Sequence, residues 1–326
     1  MLLAGDLGGT KTLLGLFSRA PARPAPLAVE TFRTTDYASL VEMVDAFLAR
    51  QPEGRPPIEG ACFGVAGPVI DDQSEITNVG WQVDGRAVAI EFGLARVRLL
   101  NDLVAIAHSV PVLEPGELHT LQEGEPNLSG NAALIAAGTG MGQSYLFNDG
   151  RRLVPAPSEA GHVDFAPRTP REMELTAWLT ARRGRAEVEQ VISGLGLVNL
   201  YEFTHPSPCR GVDVTRDAMR IPALLSANAM AGTCDHCREA LDLFVSAYGS
   251  EAGNLALRAV ATRGIYVGGG IAPKILPALE TGLFLQSFEE KPPMTGLLKG
   301  IPIKVILNPH AGLIGAATVA NQTAFE

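Results

Sequence analysis

The stretch GDLGGTKTLLGLF at residues 5–17 sets a glycine-rich turn between two short apolar runs and nearly matches a phosphate-binding loop. A P-loop needs G-x-x-x-x-G-K-[ST]. Counted from Gly5, Lys11 and Thr12 are in register, but Thr10 replaces the second glycine. A P-loop also feeds a long helix whose N-terminus holds the phosphate. Here residues 12–17 are few, include Gly15 and soon meet Pro21, Pro24 and Pro26. The pattern predicts a hairpin of strands 2–6 and 12–17 whose turn, Gly8-Gly9-Thr10, offers N–H groups to an anion. Glycine suits such a turn because it reaches φ > 0 and leaves room for close approach. Asp6 would stand beside that anion, and a carboxylate next to phosphates calls for an intervening cation, Mg²⁺. Taken alone, the motif is equally well a plain β-turn.

Two further turns carry the argument on. GTGMG (138–142) again sets glycines and a threonine between strands, and GGG (268–270) follows a strand and precedes a proline suited to a helix start. Strand patterns also occur at 58–67, 97–102 and 301–307. Helical patterns run over 37–50, where Leu40, Val41, Val44, Phe47 and Leu48 form a stripe, over 103–110, over about 234–260 and over 312–321. The proline-rich 19–27 reads as a loop. Alternating strands and helices predict an α/β fold. The recurrence of GDLGGT and AAGTGMG suggests two related lobes, although no sequence identity proves a duplication.

Hydrophobic residues make up 46% of the 326 and charged residues 19%, with a formal net charge of −9. That is the balance of a globular chain. The absence of a basic block argues against nucleic acid. No apolar run has the length of a membrane span, and residues 1–6 do not read as a secretory signal. The expected compartment is the cytoplasm. Of four cysteines, Cys234 and Cys237 have the C-x2-C spacing of a zinc half-site, for which His205 and Cys209 are conceivable partners. The favoured reading is a helix face, because Cys234, Cys237, Leu241, Phe244, Val245 and Tyr248 share helical spacing.

Asn101 and Asp102 stand where an apolar strand ends, a usual ligand position in open α/β sheets. Asp102 can accept a proton from a hydroxyl, and Asn101 can donate and accept hydrogen bonds. As a lone dipeptide they are more simply a helix start with Asp102 as N-cap. Glu159 and His162, three residues apart, can hydrogen-bond neighbouring hydroxyl groups of a ligand or form half of a metal site, and His162 can equally be a satisfied core histidine. Asp164 reads as a brace for that loop.

Together GDLGGTKTLLGLF, LLNDL, AAGTGMG, SEAGHVDFAP, ISGLGLVNLY and GGGIAP resemble the bacterial glucokinase family of the hexokinase/actin-like ATPase superfamily, in the same order from Gly5 to about Gly315. The resemblance implies a two-lobed actin-like ATPase (ribonuclease H-like) fold with a central cleft, the lobes being 1–111 plus 311–326 and 112–310. It implies ATP-dependent phosphorylation of glucose at the 6-hydroxyl, giving glucose 6-phosphate and ADP. Gly5, Asp6, Leu7, Gly8, Gly9 and Thr10 would form the first phosphate loop, with Asp6 holding Mg²⁺ directly or through water. Gly138, Thr139 and Gly140 would form the second, and Gly268, Gly269 and Gly270 would lie near the adenosine. Asn78, Asn101, Asp102, Glu159, His162 and Glu189 would bind the sugar, with Asp102 as general base. Family members often carry Asn where this chain has Lys11, which receives no role. Related enzymes imply a homodimer.

Rival readings are a kinase for another hexose, a sugar-sensing regulator and an actin-like ATPase. The repressor/ORF/kinase group often places a cysteine-rich zinc motif beside its catalytic histidine, and GHVDFAP has none. A dinucleotide-binding dehydrogenase is disfavoured because no G-x-G-x-x-G opens a helix.

Overall fold

The computed structural model describes residues 1–51, 57–76, 79–209 and 220–323. Its chain divides into two compact units, Met1–Glu117 with Asn308–Glu326, and Leu118–Leu307.

Unit 1 begins with β1 (Leu2–Leu7), β2 (Lys11–Ser18) and β3 (Ala25–Arg33), an antiparallel meander. Residues 25–27 were expected in a loop. They open β3 instead, an edge strand whose outer side tolerates Pro26. Then come α1 (Leu40–Ala49), β4 (Gly60–Val65), the hairpin β5 (Gln73–Ile76) and β6 (Trp81–Asp84), α2 (Gly85–Phe92), β7 (Val97–Asn101) and α3 (Asp102–Ser109). The sheet order is β3-β2-β1-β4-β7, with β1, β4 and β7 parallel. β4 is buried along its whole length, as a strand covered on both faces must be. The α1 stripe is confirmed except that Met43 is buried where Val41 was expected. Ser39 caps that helix by accepting from the Glu42 N–H. The C-terminal helix, Ala311–Thr323, returns to pack on α3, β1 and β4.

Unit 2 repeats the plan. β8 (Leu118–Gln122) is an edge strand, and β9 (Ala132–Ala137), β10 (Met141–Asn148) and β11 (Leu153–Ser158) form a second meander. Helices α4 (Pro170–Arg183), α5 (Gly194–Thr204), α6 (Ile221–Met230) and α7 (Asp235–Ala259) follow. β12 (Gly264–Gly268), α8 (Leu276–Leu279), α9 (Leu283–Glu289), α10 (Thr295–Lys299) and β13 (Ile303–Ile306) complete it. The order is β11-β10-β9-β12-β13-β8, with β9, β12 and β13 parallel. The core of unit 2 gathers around α7, whose Cys237, Leu241, Phe244, Val245 and Tyr248 are buried. Among the described residues no helix is long and apolar enough to cross a membrane.

Candidate active site

The first glycine turn joins β1 and β2. The Gly8 N–H donates to the Lys11 carbonyl at 3.0 Å, closing the hairpin. Thr34, just past β3, fastens it. Its hydroxyl donates to the Gly8 carbonyl at 2.7 Å and meets the Thr12 hydroxyl at 2.9 Å, and its N–H donates to the Thr10 carbonyl at 3.0 Å. Thr10 and Lys11 are exposed. The second turn joins β9 and β10. There the Gly138 N–H donates to the Gly140 carbonyl, and the Glu189 carboxylate accepts the Met141 N–H, both at 2.8 Å.

At Gly8, Gly138 and Gly140 the backbone is not left-handed, so φ > 0 is not what selects glycine there. Space decides instead at two of them. A Cβ at 8 would stand 2.9 Å from the Lys11 carbonyl oxygen, and one at 140 would stand 2.5 Å from the Glu189 carboxylate. Gly269 does need its conformation, with φ +83, and its α-carbon packs against the backbone of Ala137. The structure thereby brings the third glycine run to the second, since Ile271 also donates to the Ala137 carbonyl at 3.2 Å. Gly268 ends β12, and a Cβ at Gly270 would meet open space. The start of α5 joins the same group: the Gly194 N–H donates to the Gly138 carbonyl at 2.8 Å, and Ser193 caps the helix. Thr139 therefore sits in a tight turn of backbone amides beside a helix N-terminus, a surface suited to phosphate oxygens.

Of the other residues assigned to the first loop, Gly5 and Leu7 lie buried within β1. A Cβ at Gly5 would strike Phe63, which accounts for glycine there by packing. Asp6 lies between them in β1, partly accessible, and burial pushes its carboxyl up to about 6 while Lys11 pulls the other way. Gly312, in the first turn of the C-terminal helix, faces it, and a Cβ there would come within 2.6 Å of the carboxylate. A partly buried carboxylate held in a cradle that only glycine leaves open fits an Mg²⁺ ligand, acting directly or through water.

Asn101 and Asp102 lie where β7 gives way to α3. The N-cap expected at 102 is at 101. The Asn101 side-chain oxygen accepts from Leu103 and Val104, and its amide donates to the Gly67 carbonyl at 3.1 Å. Asp102 is the first helical residue and accepts the Leu103 N–H through Oδ1 at 2.8 Å. The position of α3 is set by small residues. A Cβ at Gly64 would crowd Ala105, and Gly315 of the C-terminal helix lies hard against the Ala105 carbonyl. Asn78 lies outside the described residues.

In unit 2, Glu159 and His162 flank a short turn, with the His162 N–H donating to the Glu159 carbonyl at 3.1 Å. Both side chains are exposed. His162 Nδ1 lies 3.0 Å from a Glu187 carboxylate oxygen, and that hydrogen bond raises the imidazole above its ordinary pKa; partial burial opposes it, and Glu189 and Glu159 reinforce it. Glu187 went unassigned in the sequence, where only its closeness to Glu189 showed. Arg185 ties the group together, donating to the His162 carbonyl and pairing with Glu187 at 3.4 Å and Asp164 at 3.6 Å. Asp164 thus braces the loop as its sequence position suggested. Glu189 is joined to the same loop through its N–H, which donates to the Gly161 carbonyl at 2.9 Å. One residue, Glu189, therefore connects the Glu159–His162 turn, through its N–H, to the second glycine turn, through its carboxylate.

Residues 3–323 match the family model for glucokinase. A glucokinase from Synechocystis sp. is 40% identical, with 98% of each chain covered. The crystal structure of a glucokinase from an Antarctic psychrotroph superposes with a TM-score of 0.86 at 28% identity, covering 98% of each chain. A repressor/ORF/kinase-type glucokinase from Streptomyces griseus, solved in complex with glucose and AMPPNP, superposes with a TM-score of 0.64 at 22% identity over 98% of this chain and 99% of that one, a likeness of fold.

Proposed function

Since the chain belongs to the glucokinase family, we propose that it transfers the γ-phosphoryl group of ATP to the 6-hydroxyl of glucose, releasing glucose 6-phosphate and ADP. The observation that carries this reading is the pairing, within one chain, of two amide-lined glycine hairpins with a carboxylate at the β7–α3 junction. The glucose and AMPPNP held by the Streptomyces griseus protein support both substrates.

Phosphoryl transfer asks a protein mainly for positioning and charge neutralisation. Asp102 accepts the proton of the 6-hydroxyl as the oxygen's electron pair forms the new bond to phosphorus. The bond to the ADP oxygen breaks, and the proton ends on the carboxylate. Asn101 holds the start of α3, and so the backbone of Asp102, through its cap. Amides of residues 9–10 and 139–140 donate to phosphate oxygens as charge develops, while those of Gly8 and Gly138 close the hairpins. Asp6 would hold Mg²⁺, which would supply neutralisation of phosphate charge. Glu159 and His162 accept and donate hydrogen bonds to sugar hydroxyls, and Glu187 fixes the imidazole ring that does so. Gly268, Gly269 and Gly270 give a flat backbone surface to the adenosine. The family resemblance also carries a homodimer, which sedimentation velocity tests.

The deciding experiment is a coupled ADP-release assay with and without glucose, followed by a panel of hexoses. ADP release that requires glucose supports the reading. ATP turnover indifferent to sugar, or a clear preference for another hexose, would overturn it.

A further inference from the structure

The C-terminal end of α5 carries a cluster that phosphoryl transfer does not use. His205 caps that helix, Cys209 lies four residues on, Cys234 is the N-cap of α7 and Cys237 is in its first turn. The sequence favoured a plain helix face for the two α7 cysteines. That holds for the buried Cys237, but Cys234 stands at the helix entrance and makes no side-chain capping bond. The imidazole and all three sulfurs converge instead, their ligand atoms lying within 4.8 Å of one another. His205 Nε2 is 2.9 Å from Cys209 Sγ and 3.6 Å from the sulfurs of both Cys234 and Cys237. Cys209 Sγ is 3.1 Å from Cys234 Sγ and 3.5 Å from Cys237 Sγ.

These are close to the edges of a coordination tetrahedron. Metal–sulfur bonds of about 2.3 Å at tetrahedral angles place neighbouring sulfurs roughly 3.8 Å apart. The surroundings aim the donors inward. His205 Nδ1 sits 2.8 Å from the Tyr201 carbonyl, to which it can donate, leaving the Nε2 lone pair for the sulfur side. The Tyr201 ring stacks on the imidazole with centroids 3.9 Å apart, and its hydroxyl accepts the Cys209 N–H at 2.7 Å. Cys234 and Cys237 open the 25-residue α7, whose N-terminus favours thiolates. A set of three sulfurs and one imidazole selects zinc over the oxygen-seeking Mg²⁺ and Ca²⁺.

We infer that His205, Cys209, Cys234 and Cys237 form a structural zinc site that clamps the end of α5 to the start of α7. All four protein donors are supplied, as in closed structural sites, so the metal has no reactive position. Its effect on the candidate active site runs through α5, whose other end holds the Gly138 carbonyl.

The test is metal analysis of the untagged full chain, purified without chelator, together with cobalt substitution. The expected result is about one zinc per chain that survives dialysis and is released by a thiol-blocking mercurial. Cobalt should give thiolate-to-metal charge transfer and tetrahedral ligand-field bands. The double variant Cys209→Ser/Cys237→Ser should lose the zinc, whereas Cys62→Ser, outside the cluster, should keep it. If the double variant does not fold, the cobalt spectrum of the unaltered chain decides alone. Three results would each overturn the inference: zinc below about a tenth per chain together with octahedral or absent cobalt bands, full zinc retained in the double variant, or a Cys209–Cys234 disulfide in metal-free protein purified under reducing conditions.

Discussion

In unit 1 the glycine turn is fastened by a hydroxyl, that of Thr34 on the Gly8 carbonyl, whereas in unit 2 it is fastened by a carboxylate, that of Glu189 on the Met141 N–H. The two turns sit at the same place in the same strand order, between the first and second strands of a meander whose first strand continues into a parallel array. In unit 1 the acid near the turn, Asp6, remains available to a cation. In unit 2 the nearby acid is engaged in holding the turn and the loop beside it. Under the proposed function, one topology would thus separate two tasks: unit 1 would provide the groups that react, and unit 2 a braced surface that binds.

That division can be broken by kinetics. Asp102→Asn should fold and bind glucose yet lose about 10²-fold or more in turnover, in line with general-base contributions. Circular dichroism, calorimetric sugar binding and kcat check it, and near-normal kcat would remove Asp102 from its role.

The two supports should differ in strength. Glu189→Ala leaves the Met141 N–H without its charged acceptor and should cost about 2–3 kcal/mol, whereas Thr34→Val removes neutral bonds and should cost about 1 kcal/mol. Urea unfolding measures both. Glu189→Ala should also raise the KM for ATP more than Thr34→Val does, and the reverse order would erase the contrast.

A smaller effect concerns Asp6. Its carboxyl is raised from 3.8 to about 6, so the fold favours the protonated form, and stability falls as pH rises from 3.8 through 6. Asp6→Asn should therefore stabilise the apo chain above pH 6 by about 1–2 kcal/mol, less than the full linkage value because the side chain reaches solvent. The same variant should lose Mg²⁺-dependent nucleotide binding. In the unaltered chain that binding should weaken as pH drops below about 6, which titration calorimetry across pH 5–8 would show.

The smallest effect is at His162. Its raised pKa means that its favourable contribution is complete below the ordinary histidine value and fades as pH climbs through the raised one. Glu187→Gln should return the imidazole toward its ordinary pKa, readable by NMR titration. An unmoved midpoint would show that Glu187 does not govern the ring.

The strands on either side of the first two glycine turns, the strand before the third, the long α7 and the last helix were legible because apolar runs and 3.6-residue spacing arise from the chain itself. β3 was not, because an edge strand is half exposed and admits proline. Glu187 was not, because nothing local distinguishes it from Glu189 two residues on. The spacing of His205, Cys209, Cys234 and Cys237 was visible, but helical periodicity accounted for Cys237 equally well, and 24 residues of sequence separate Cys209 from Cys234.

By itself the sequence determined the α/β class, the three glycine turns, the family and the residues worth testing, since each rests on short-range pattern or on motif order. Only the tertiary structure decided that Asn101 rather than Asp102 caps α3, that Glu189 supports a turn, and that a histidine and three cysteines meet. Those outcomes depend on which backbone and side-chain groups are brought within about 3 Å of one another, and such distances are set by packing between segments far apart in the chain.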